Sequence, residues 1–254
     1  MSLKSLFVAL FITLSCCLQA QGSTQEMQRI QEMRSLAYLA TTNLMVFYNL
    51  DATPFESGNA KSYRQSFERL QQIAAQHSYS LVSAELKKIE DLAAQLEALP
   101  RDLKHVRTVY TPYQLLLNPL FNAQQRIEED LQQRYAALAK GSDDGRQQEL
   151  HALSLDHSRI MLQYSMLTFT ALAYLNAQDP TLSVIDARIR QQFESLKSHT
   201  SEQHSDLEKL SINYNFIRPR LVEQPRPWIP GRALFYLSRN IKALDEAASR
   251  TADR

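Results

Sequence analysis

The sequence predicts an all-α fold: an elongated antiparallel helical bundle built from two duplicated long helical hairpins. Three observations predict it. The chain holds only five glycines, at positions 22, 58, 141, 145 and 231, and each falls between periodic segments. The stretches between them are rich in Leu, Ala, Gln, Glu and Arg, which favour helix, with apolar residues recurring mostly every three, four or five positions. The chain also matches itself when shifted by 126 residues.

The N-terminus reads as a secretory signal peptide over residues 1–20. Lys4 supplies a positive start, residues 6–14 an apolar stretch, and Leu18-Gln19-Ala20 a small-residue exit. The apolar stretch is well short of the roughly 20 residues a membrane span needs, so the predicted mature chain, residues 21–254, has no transmembrane span and forms a single helical-bundle domain. Cys16 and Cys17 both lie in the leader, so cleavage after Ala20 leaves a chain without cysteine or disulfide. The alternative is lipidation at Cys17, because Leu14-Ser15-Cys16-Cys17 is a poor version of a bacterial lipoprotein site.

The first helix is expected to start near Thr24, with Ser23 and Glu26 forming a capping box, and to run to about residue 50. A second runs unbroken over residues 59–99, with Phe67, Leu70, Ile73, Leu81, Leu86, Ile89, Leu92 and Leu96 on one stripe. Such a helix is about 60 Å long. A proline-kinked stretch over 102–117 follows, and Asn118 caps a new helix with Pro119 in its first turn, ending at Gly141. After the turn at 142–145 come a helix to about 177, another over 180–216, a proline-rich loop that includes Pro219, and a last helix over 231–249.

The self-match defines internal repeats at about 24–117 and 150–249. It pairs Leu36, Tyr38, Thr42, Tyr48 and Pro54 with Leu162, Tyr164, Thr168, Tyr174 and Pro180, then Arg64-Gln65-x-Phe67-Glu68 with Arg190-Gln191-x-Phe193-Glu194. Each repeat is then an apolar helix, a proline turn and a long amphipathic helix.

With 44% hydrophobic residues the chain can bury a core, and a net charge of +1 with scattered Lys and Arg builds no nucleic-acid face. No cofactor, metal or catalytic residue is predicted. His151 and His157 are six apart and His199 and His204 five apart, the wrong spacing for one metal on a helix. No Gly-x-Ser-x-Gly, phosphate loop or mature cysteine supports nucleophilic chemistry, and Glu128-Glu129-Asp130 reads as a solvated face. The candidate groove residues are instead Arg64 and Arg190, which the repeat places equivalently and which could hold an anionic ligand or partner, with Tyr38 and Tyr164 lining a pocket or a polar core seam. Against this, each arginine also sits four residues before Glu68 or Glu194, the spacing of a surface ion pair. For Phe169, in the apolar run 160–175, core burial is expected.

The tail segment Tyr214-Asn215-Phe216-Ile217-Arg218, with Leu221, Ile229-Pro230 and Tyr236-Leu237-Ser238-Arg239, resembles proteobacterial periplasmic helical proteins related to the N-terminal sensor domain of type IV pilus methyl-accepting chemotaxis transducers. That family's first-helix Arg-Met-Leu-Ser-Gln-Arg motif is present only in degenerate form, as Arg159-Ile160-Met161-Leu162-Gln163, so no ligand-binding residue is carried over. The resemblance implies a sensor-like helical bundle without the transducer. The predicted function is therefore an exported cell-envelope binding or interaction module, not an enzyme, acting through a small ligand or an envelope protein. The alternative is an outer-membrane lipoprotein with a structural or assembly role.

Overall fold

The computed structural model describes residues 3–48, 57–99, 106–142, 144–168, 181–198, 204–223 and 229–252. They form an all-α bundle with eight α-helices and one short 3-10 turn among the described residues. The helices are α1 (Leu3–Phe47), α2 (Ser57–Gln76), α3 (Ser80–Ala98), α4 (Val106–Ala139), α5 (Gly145–Ser165), α6 (Leu182–Ser198), α7 (His204–Val222) and α8 (Pro230–Ala252), and the 3-10 turn Met166–Thr168 extends α5.

Two helices are central. From Met27 to Tyr48 the first is buried around most of its circumference, and so is α5 from Leu153 to Met166. A helix without a solvent face must be covered on all sides. Accordingly, α1 packs against α2, α4, α5 and α8, while α5 packs against α1, α6 and α8. The outer α3 lies on α4, and α7 on α8. Three apolar clusters result: one joins α5 to α8, one joins the end of α1 to α4 and α5, and one joins α1 to α2, α3 and α4.

Several predicted boundaries change. The helix expected to begin at a Ser23/Glu26 box is continuous across that point, and Glu26 instead pairs with Arg29 and accepts the Tyr79 hydroxyl. The expected unbroken helix over 59–99 is two. Ser78 adopts a left-handed backbone, φ 58°, and the Tyr79 N–H reaches back to the Ala74 carbonyl at 2.9 Å, which ends α2 in a Schellman-type turn. Glycine usually fills that position, so its absence hid the break.

The expected break at Asn118-Pro119 is absent, and α4 runs through both Pro112 and Pro119. Both prolines are exposed, as is Leu115, whose carbonyl Pro119 cannot serve as donor. On the solvent side water can take that carbonyl, so the helix survives. Pro219 likewise lies inside α7, not in a loop. Within the span predicted as one helix over 180–216 the described residues form α6 and α7, α7 continuing to Val222, and residues 199–203 lie outside the described residues. Pro54, Pro180, Phe169 and Tyr174 lie outside the described residues.

Two helix starts were not singled out in the sequence. The Asp144 carboxylate caps α5 by accepting the Gln147 N–H at 2.9 Å. Pro230 opens α8, where a missing N–H costs nothing. Among the described residues no helix is long and apolar enough to cross a membrane.

Candidate functional site

Helices α4 and α5 both pack on α1 without packing closely against one another. Between them lies a cavity of about 340 Å³. Its α4 wall is one helical stripe, Phe121, Gln124, Gln125, Glu128, Glu129 and Gln132, and facing it are Arg159, Leu162 and Gln163 of α5 with Met166 just beyond. Tyr38 of α1 and Arg188 of α6 complete the lining.

The charges around this space form a chain. Glu128 is buried and held by Arg34, whose Nε and Nη2 donate to its two oxygens at 3.0 and 2.5 Å, while Arg159 Nη2 donates to Oε1 at 3.3 Å. Asp156, also buried, takes Arg188 Nε and Nη2 at 3.0 and 2.7 Å, with Gln192 at 3.3 Å and Arg159 at 3.7 Å. Each carboxylate thus has a forked arginine partner, and Arg159 links the two pairs. Burial opposes the charge on Arg159, yet Tyr38, Glu128 and Asp156 outweigh it and raise its pKa. Burial raises the Tyr38 pKa, reinforced by Glu128 and partly offset by Arg159 and Arg34, so its hydroxyl remains a neutral donor.

One residue of the cavity wall carries an unmet donor. Gln124 is 2% exposed, and its Nε2 is a buried donor with no partner. Leaving such a donor unmatched costs about 1–3 kcal/mol, and because Gln124 lies in the cavity wall, a turn of its side chain toward an acceptor in the cavity would recover that loss.

Of the predicted groove residues, Tyr38 lines the cavity. Its repeat counterpart Tyr164 is fully buried and its hydroxyl accepts the Ile229 N–H at 2.7 Å, anchoring the start of α8. Arg64 sits on α2, stacked on Tyr63 and 3.7 Å from Glu97, and Arg190 sits on α6, 3.3 Å from Asp186. Both arginine side chains are 54% exposed and neither lines the cavity. Arg188, two residues from Arg190, does. Cys17 falls within α1.

Glu128, read from the sequence as part of a solvated face, is buried and paired, because it lies on the α4 stripe that turns toward α1 and α5. The only available signal was its spacing from Phe121, Gln124 and Leu131, which places it at the edge of the apolar face.

A second groove, about 410 Å³, runs between α7 and α8 beside Phe216, Arg220, Ile229 and Arg232. Nearby Phe216, Ile212 and Phe235 are exposed. Among the described residues no group of three or more His, Cys, Asp or Glu could hold a metal ion. Compared with protein-family models, curated proteins and solved structures, the chain matches none.

Proposed function

We propose that this chain is an exported helical-bundle binding module of the cell envelope that holds a small ligand in the cavity between α4 and α5 and acts by occupancy, not by chemistry. The observation that carries this is the unpartnered buried Gln124 donor beside two arginines in a space of about 340 Å³, near the lower end for small-molecule sites. Export rests on the leader-like residues 1–20, and a sensor-like role rests on the tail resemblance to the pilus transducer sensor domains. The repeat supports a duplicated origin: within each half the first helix packs on the second and fourth, the second on the third, and the third on the fourth.

A thermal-shift screen of small metabolites on the mature chain tests the binding role. A ligand present at 100 times its dissociation constant adds about 2.7 kcal/mol of stability. That gain should disappear in Gln124→Met, and a screen without any hit would count against the cavity.

The exposed Phe216, Phe235 and Ile212 beside Arg220 and Arg232 favour a second reading, docking of an envelope protein on α7 and α8. The structural or assembly role through a lipidated Cys17 is tested separately by the mass of the mature protein from the membrane fraction. A chain beginning at Gln21 without lipid rules out that anchor.

A further inference from the structure

We infer that the cavity takes a zwitterion bearing both a carboxylate and an ammonium group on a short apolar body, as in an apolar α-amino acid. This rests on the cavity being a binding site, and it follows from how the charges there are already committed. Arg34 is paired with Glu128 and Arg188 with Asp156, so the remaining charges of the lining are one of each sign, Arg159, which bridges both pairs, and Glu129. A ligand with net charge would leave one sign uncompensated in a partly enclosed site, whereas a zwitterion would not.

The two ligand charges have separate places. Glu128 and Asp156 engage Arg34 and Arg188 through Nε and Nη2, which leaves the Nη1 edge of Arg188 for a ligand carboxylate. Gln124 Nε2 is a second donor, unmatched until such an oxygen arrives. Glu129, exposed at the α4 wall and without an ion pair among the described residues, is the carboxylate left for an ammonium group. Phe121 and Leu162 offer the apolar surface for a side chain, and the volume limits it to a small one.

Isothermal titration of the mature protein with L-leucine, 4-methylpentanoate and 3-methylbutylamine tests this, since the latter two each lack one charge. L-leucine is expected to bind at least tenfold more tightly than either analogue. Gln124→Met should weaken leucine and 4-methylpentanoate by tenfold or more with a ligand-free melting temperature no lower than the parent's, since it removes an unmatched buried donor, and Glu129→Gln should weaken leucine while leaving 4-methylpentanoate unaffected. Equal binding of leucine and 4-methylpentanoate, lost in Gln124→Met, would overturn the zwitterion and keep the cavity as a carboxylate site. Binding of leucine indifferent to Gln124→Met would remove the cavity itself, as would no binding by any of the three compounds together with no hit in the metabolite screen; a hit in that screen lost in Gln124→Met, with none of the three bound, would overturn only the zwitterion.

Discussion

Helices α4 and α8 each close their half of the chain, yet α8 packs on both central helices whereas α4 packs closely on only one of them, α1. The side chains at the two seams account for the difference. Where α8 meets α1 and α5 the residues are short: Ser35 and Ser154 face each other at 3.4 Å, with Ala248 fully buried nearby. Gln28 reaches the Asp245 carbonyl at 3.0 Å and His151 at 2.8 Å, tying all three helices. Where α4 meets α5 the residues are long and charged, and the Glu128–Arg159 link spans a gap instead of closing it. Small polar residues make a seam, and long ones prop open a cavity.

The largest expected effect comes from the prop. Arg34 and Glu128 are both buried, so Arg34→Met leaves a buried carboxylate with only Arg159 and should cost about 3 kcal/mol in urea unfolding. Filling the two seams sharpens the contrast. Ser154→Leu overpacks the closed seam and should cost about 2 kcal/mol, while Gln125→Leu, lining the cavity, should stay within about 0.5 kcal/mol. Equal costs would mean that the two seams are packed alike.

The closed seam also sets a pH dependence. Burial raises the Asp245 pKa to about 7, reinforced by Glu32 and only partly offset by Ser154, Ser35 and Gln31, and its Oδ1 has no partner. The folded state then holds a proton that the unfolded state releases, so Asp245 subtracts stability as pH rises from about 4 to about 7. Burial lowers His151 to about 3, helped by Arg34, and His157 to about 4 against hydrogen bonding to Leu153 and the charge of Asp156. These two add stability that is present above about pH 6.5 and lost as pH falls.

The hydrogen bonds agree with neutral rings. His157 Nδ1 donates to the Leu153 carbonyl at 2.8 Å and its Nε2 accepts from Asn240 at 3.3 Å, whereas His151 accepts from Tyr135 at Nδ1 and donates to Gln28 from Nε2, both at 2.8 Å. Asp245→Asn should therefore gain about 2 kcal/mol at pH 8 and steepen the loss of stability between pH 6.5 and 4, as urea unfolding across pH would show. A smaller gain, about 1 kcal/mol, is expected for Ser78→Gly, which relieves the left-handed backbone between α2 and α3.

Helix content was legible because glycine and helix-forming runs mark it, whereas the Asp144 cap and the entry of Pro230 into α8 were not singled out: the first was read only as part of a turn and the second lay outside the helix predicted over 231–249. The α2–α3 break was not, because a serine performs the turn that glycine usually signals. Neither was the continuity of α4, because only tertiary packing turns Pro112 and Pro119 outward. For the candidate site, the repeat singled out Tyr38, which lines the cavity, but also Arg64 and Arg190, which do not. The repeat compares each half with the other, whereas the cavity is built across halves from α1, α4, α5 and α6, so self-similarity carries no trace of it. Gln124 gave no signal, since an unmet hydrogen bond exists only in the folded chain.

The central claim, that the α4/α5 gap is a binding site and the α1/α5/α8 seam is closed, is tested most directly by NMR of glutamine side-chain amides during titration with L-leucine. The Gln124 resonance, assigned through its loss in Gln124→Met, is expected to shift strongly on saturation while those of Gln31 and Gln147, buried in the α1/α5 interior, stay in place. A Gln124 amide that does not move at saturating leucine, or shifts confined to Gln31 and Gln147, would contradict it.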